Sequence, residues 1–223
     1  MNERVANIIK TQIDGLDFID KIAGLVRTMK MEVLGENNVK TLKFFPVACD
    51  VTADSCISGK YQDLIPDSKY KSIIYFEDGG TTLMSKERRW VGFNSRLTLV
   101  AWLNLKKIGC DCTYSMAAIL SILEALPEFP INELNGLQQI TIKAVTEQPK
   151  SNQIFGRYTY DEKINQYLLS PYDYFALNLS IDYKINLNCI ERLISESCAC
   201  GGRYLLAEDG QKVTYEDGKP VIV

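Results

Sequence analysis

From Phe175 to Cys189 every odd-numbered residue is apolar or aromatic, while the even positions read Ala176, Asn178, Ser180, Asp182, Lys184, Asn186 and Asn188. Side chains of a strand alternate faces, so the pattern predicts one long strand with a dry face and a wet face. At roughly 3.3 Å per residue it spans about 50 Å, well beyond an ordinary strand. Such a strand extends past its own core or helps to build a surface between subunits. Phe93–Leu105 carries Leu97, Leu99, Ala101, Leu103 and Leu105 on one face and Val100 and Trp102 on the other. It is covered on both sides near its middle, which predicts a central strand. Tyr70–Glu77 reads as a strand closed by a turn at Asp78-Gly79-Gly80, and Gln139–Val145 as a short strand. Phe44–Val51 is aromatic and β-branched but contains Pro46, which donates nothing to a ladder, so it reads as an edge or bulged strand.

Val5, Ile8, Ile9 and Ile13, spaced by three and four, predict an amphipathic helix over 3–14 that Asp14-Gly15 stops. Over 18–34 the spacing of Ile19, Ile22, Ala23, Val26 and Met29 again fits a helix, although Gly24 and the β-branched content suit a strand. Cys110–Thr113 supplies an N-cap for a helix over Tyr114–Leu126, ended by Pro127. Apolar residues take up most of its circumference, so it is buried against the sheet or covered by a neighbouring subunit. Residues 52–69 form a polar loop, 81–91 a hairpin arm, and 151–174 a tyrosine-rich hairpin or extended loop with Tyr158, Tyr160, Tyr167, Tyr172 and Tyr174. Beyond Cys198-Ala199-Cys200-Gly201-Gly202, three short strands joined by Asp-Gly turns make a meander too small to bury a core alone. The expected organisation is α+β. A core over 1–197 has a mostly antiparallel sheet of long strands with two or three helices on one face, and a β extension covers 198–223.

Composition narrows the chemistry. The chain has 223 residues, 46% hydrophobic and 24% charged, values that suit one large domain or a domain with an appendage. A net charge of −3 gives no global basic field for nucleic acid. Locally, Lys86, Arg88, Arg89 and Trp90, followed by Arg96, make a basic stretch: a solvated loop, or a patch that pairs subunits or faces nucleic acid. The start, Met1-Asn2-Glu3-Arg4, leads into an amphipathic pattern, and no run approaches the ~20 apolar residues of a membrane span. The expectation is a protein that stays inside the cell that makes it, with no membrane contact.

The chain has 7 cysteines and 0 histidines. Without histidine it lacks the commonest general base, the usual nucleophile activator and the commonest metal ligand. Cys110-Asp111-Cys112 and Cys198-Ala199-Cys200 are closer together than the usual zinc pairs, so free thiols or a labile disulfide are expected rather than metal. Asp14, Asp17 and Asp20 read as a solvated face or cap rather than a cation site. There is no phosphate-cradling glycine loop, no dinucleotide fingerprint and no nucleophile elbow. The residues thus nominate no catalytic, cofactor-binding or metal-binding group, and the expectation is no enzyme and no cofactor.

The order of elements is a helix, the Pro-interrupted segment, strands at 70–77 and 93–105, a helix at 114–126, then strands ending in Asp173-Tyr174-Phe175-Ala176-Leu177-Asn178-Leu179-Ser180-Ile181. Over roughly 1–190 this order resembles the tail-terminator or tail-completion proteins of tailed bacteriophages. It is also similar to neck and ring proteins of the head–tail junction, including those of phages that infect gut Bacteroides. The resemblance implies a non-catalytic virion protein, assembled in the host cytoplasm and closed into a homo-oligomeric ring, sixfold or a multiple. Its implied neighbours are portal, neck and tail proteins, with DNA only as cargo through the channel. On this reading Lys86, Arg88, Arg89, Trp90, Tyr158, Tyr160, Tyr172 and Tyr174 are the candidate subunit interface. Two other classes stay open: an intracellular adaptor or binding module of a mobile element, and an enzyme using carboxylate or thiol chemistry.

Overall fold

In the computed structural model the described residues are 2–34, 40–49, 61–88, 90–109, 111–125, 137–149, 152–159 and 168–186. The 198–223 extension, Arg89, Tyr160 and five of the 7 cysteines (56, 110, 189, 198 and 200) lie outside them. The fold is α+β and mostly antiparallel. Its elements are α1 (Asn2–Ile13), β1 (Lys21–Leu25), β2 (Arg27–Leu34), β3 (Lys40–Cys49), β4 (Tyr61–Asp63), β5 (Ser72–Lys86), β6 (Trp90–Asn104), α2 (Leu105–Ile108), α3 (Cys112–Ala125), β7 (Leu137–Glu147) and β8 (Tyr172–Asn186). A 3-10 turn at Asn152–Phe155 precedes β8.

The main sheet has five strands in the order β1-β5-β6-β8-β7, and β2, β3 and β4 form a separate small sheet. Only β1 runs parallel to its neighbour β5. The alternation expected over 175–189 holds from Phe175 to Ile185, and positions 187–189 lie outside the described residues. Phe175, Leu177, Leu179, Ile181, Tyr183 and Ile185 are all buried on one face of β8, beneath Val5, Ile9 and Ile13 of α1 and Ile119 and Leu123 of α3. β6 is the middle strand, as its two covered faces require, with Leu97, Leu99, Ala101 and Leu103 in this core. Val100 and Trp102 point the other way, into a second core with Ile73, Tyr75, Ala48, Leu64, Ile154 and Phe155. Both long helices thus cover one face, while the small sheet and the 3-10 turn cover one end of the other.

Three expectations are corrected. Residues 18–34 are not a helix but a turn followed by β1 and β2, separated only by Val26, whose N–H bonds to Phe76 O at 2.8 Å. Pairing explains the preference: β1 adds to β5 as a parallel strand and β2 pairs with β3 along its length. At Gly24 the strand passes close under the Asn7 side chain of α1, whose amide would have to turn aside for a Cβ there. Asp14, Asp17 and Asp20 accordingly share no helix face. Asp20 clasps the start of β5, accepting the Lys71 N–H at 2.9 Å and donating its own N–H to Ser72 Oγ at 3.1 Å.

Pro46 lies in β3, the middle strand of the small sheet rather than an edge or a bulge. β4 pairs with β3 only over Val47, Ala48 and Cys49. The Pro46 carbonyl accepts from Leu64 N at 3.0 Å. Because N and C=O of one strand residue point to the same side, the missing donor falls at the margin of the β3–β4 pairing and costs no bond to β2.

Asp78-Gly79-Gly80 does not close a strand. β5 runs through it for 15 residues, and the pairing steps from Asp78–Leu97 to Thr81–Ser95, which inserts one extra residue. This is a β-bulge, and both glycines serve it. Gly80 adopts φ +91°, and a Cβ on Gly79 would lie 2.9 Å from Arg96 Cβ and 2.9 Å from Arg96 O.

Candidate interaction surface

The bulge divides β5 by environment. Ser72–Glu77 is buried, whereas Asp78–Lys86 is exposed throughout. Beyond Phe76 the strand has lost β1, and its outer side meets no strand among the described residues. The exposed stretch includes Leu83, 58% exposed, and Met84, 63% exposed. Met84 is itself an inserted residue, because the register moves from Leu83–Phe93 to Ser85–Gly92. Between Thr81 and Ser85 no residue is charged. Natural edge strands are usually blunted by charge or proline, so an uncharged edge with protruding apolar side chains has the chemistry of a pairing site.

Lys86 and Arg88 are exposed at the end of this arm, and Trp90 is half-buried opposite Asn186. Glu87 closes the hairpin by donating its N–H to Trp90 O at 2.8 Å, and its carboxylate lies 3.8 Å from Lys184 Nζ. Lys86, Glu87 and Arg88 therefore sit at a hairpin tip, whereas Arg96 lies within β6 opposite Ser180.

The tyrosines part company with it. Tyr158 and Tyr174 are not on the surface but in the second core, where Tyr174 meets Phe155 edge-on at 5.2 Å and Tyr158 meets Tyr75 at 6.3 Å. Tyr172 is half-buried and stacks on Trp102 at 5.3 Å. A tyrosine-rich stretch reads equally as an arm or as amphipathic cover for a sheet, and these three rings are cover.

Two polar clusters fix the arm to the body. Asn2, at the start of α1, donates from Nδ2 to Asp78 Oδ1 at 2.6 Å. Its Oδ1 accepts from Thr81 Oγ1 at 2.8 Å and from the Ser95 hydroxyl, and Ser95 also reaches Tyr183 OH at 3.1 Å. The second cluster is Glu77, buried just before the bulge, with the Tyr158 hydroxyl at 2.6 Å and Arg157 Nη1 at 3.4 Å. The sequence gives no local signal for either cluster, because each joins residues more than 75 positions apart.

Chemistry for turnover is sparse among the described residues. No group of three His, Cys, Asp or Glu side chains is placed to hold a metal ion there. A depression of about 300 Å³ on the wet face holds Arg96, Thr98, Asn178 and Ser180, and another of about 350 Å³ near the α1–β1 turn holds Asp17, Lys71 and Lys107. Both are open to solvent. No helix is long and apolar enough to cross a membrane among the described residues. No known family model matches the chain, and no curated protein matches it either.

Proposed function

We propose that this chain is a non-catalytic structural protein that assembles with copies of itself into a ring, in the role of a tail terminator or connector at the head–tail junction of a tailed phage. The observation that carries the assembly is the exposed half of β5, Asp78–Lys86, with Leu83 and Met84 in solvent on an edge that no described strand pairs. A monomer gains nothing from such an edge and is exposed to aggregation by it; an assembling subunit needs one. The order of elements supports the place in the virion, with portal, neck or tail proteins as axial neighbours and DNA as cargo.

Sedimentation velocity on the full chain across a hundredfold range of concentration tests this. A closed species larger than a dimer and stable to dilution is expected. A monomer throughout would overturn the reading in favour of an adaptor module.

A further inference from the structure

Among the described residues the five-stranded sheet is open on both sides at the same level. On one side β1 leaves β5 after Phe76, and on the other β7 is the last strand. Three backbone bonds set the phase of these edges. Asn104 N donates to Lys71 O at 2.7 Å, Glu87 N to Trp90 O at 2.8 Å, and Gln148 N to Ala176 O at 2.9 Å. Successive residues of an antiparallel ladder turn their N–H and C=O alternately toward and away from the partner. Followed from these bonds through the registers, the alternation turns Thr81 and Leu83 of β5 outward, and Ile140 and Ile142 of β7 outward.

The levels coincide as well. Leu83 pairs with Phe93, Phe93 with Tyr183, and Tyr183 with Ile140. Thr81, Ser95, Ile181 and Ile142 form the same chain of pairs further along. Successive antiparallel steps separate β5 from β7, so the two edge strands run in opposite directions. Leu83 also shares the dry face with Ile140 and Ile142, which are only half-buried at the far rim of the first core.

We infer that copies of this chain join edge to edge, the outer half of β5 in one copy pairing with β7 of the next as an antiparallel ladder, with Leu83 opposite Ile140 and Thr81 opposite Ile142. This rests on the ring reading above and names its surface. Level, phase, strand direction and apolar face all agree, and the joint carries the helix-covered core across the subunit boundary. Because two different edges meet, the contact is heterologous, and sheet twist turns each added copy by a fixed angle, as ring closure requires.

The test uses edge-blocked full-length variants read by native mass spectrometry. Leu83→Pro and Ile140→Pro each remove an outward N–H, so the ladder inside the chain keeps its bonds. Leu83→Lys and Ile140→Lys carry the test wherever circular dichroism shows a proline variant to be unfolded. Each variant alone should be monomeric, with association at least tenfold weaker. An equimolar mixture should give a heterodimer, since each partner retains the edge that the other lacks. If both variants assemble like the parent, the edge joint is wrong while the ring reading stands. If only the Leu83 variants fail, β5 pairs with β5 about a twofold axis, and the inference is equally overturned. A parent chain that is monomeric throughout removes both.

Discussion

The Tyr158 hydroxyl donates to Glu77 Oε1 at 2.6 Å, and Glu77 is the one carboxylate buried among the described residues. It pairs with Thr98, one position before the last pair ahead of the bulge, where β5 passes from buried to exposed. The other partner of this carboxylate, Arg157, is 62% exposed and 3.4 Å away, so the hydroxyl is the dry half of its satisfaction.

Tyr158→Phe keeps the ring against Tyr75 and removes only that donor. It should lower the unfolding free energy by about 1–3 kcal/mol, the cost of leaving a buried acceptor short of a partner. Urea denaturation of Tyr158→Phe, Glu77→Gln and the double variant measures this. Additive losses would show that the two side chains are not coupled.

The dry face of β8 gives a larger effect. Ile181 is wholly buried between β6 and β7, beneath the helices. Ile181→Asp places a charge within this apolar core, at a cost on the order of 4 kcal/mol. Melting should fall by about 10 °C or more. Unchanged melting would mean that this face is not the core.

At the bulge the two glycines should respond differently. Gly80→Ala puts a side chain at φ +91° with open space around it, so its cost is backbone strain of about 1 kcal/mol, which Gly80→Asn should partly relieve. Gly79→Ala meets the Arg96 backbone, and Asn does not relieve it. Denaturant midpoints for Ala and Asn at each position separate the two causes. Equal relief by Asn at both positions would contradict the assignment.

Asp67 provides an acid-range test. Burial acts to raise its carboxyl, but the Lys69 N–H at 2.9 Å, the Lys69 ammonium at 2.9 Å and the charge of Lys21 outweigh it and hold the group below its ordinary value. A depressed folded-state pKa adds stability above the unfolded value of about 3.9, and that stability is lost as pH falls through the depressed one. Asp67→Asn should therefore flatten the fall in stability below about pH 4. Parallel acid profiles for parent and variant would remove this contribution.

What the sequence discloses follows the range of each interaction. Period-two alternation is written into the chain itself, so Phe175–Ile185 and Leu97–Leu103 reveal both their faces and the central place of β6. The cap of α3 is equally local, with Asp111 Oδ1 accepting from Tyr114 N at 2.8 Å. The 18–34 segment misleads because its strands are set by pairing with β5 and β3, outside the segment itself. Asp78-Gly79-Gly80 carries the same residues whether it turns the chain or bulges a continuing strand, and only pairing with Leu97 and Ser95 decides between them. Lys86, Arg88 and Trp90 are recognisable as an arm. Leu83 and Met84 are hidden, because their exposure depends on where β1 stops.

Electron micrographs of the purified full-length chain test the central claim most directly. Class averages should show closed rings of identical subunits around an open channel, with the same subunit number in every ring. Isolated compact particles the size of one chain, or pairs related by a twofold axis, would contradict the account.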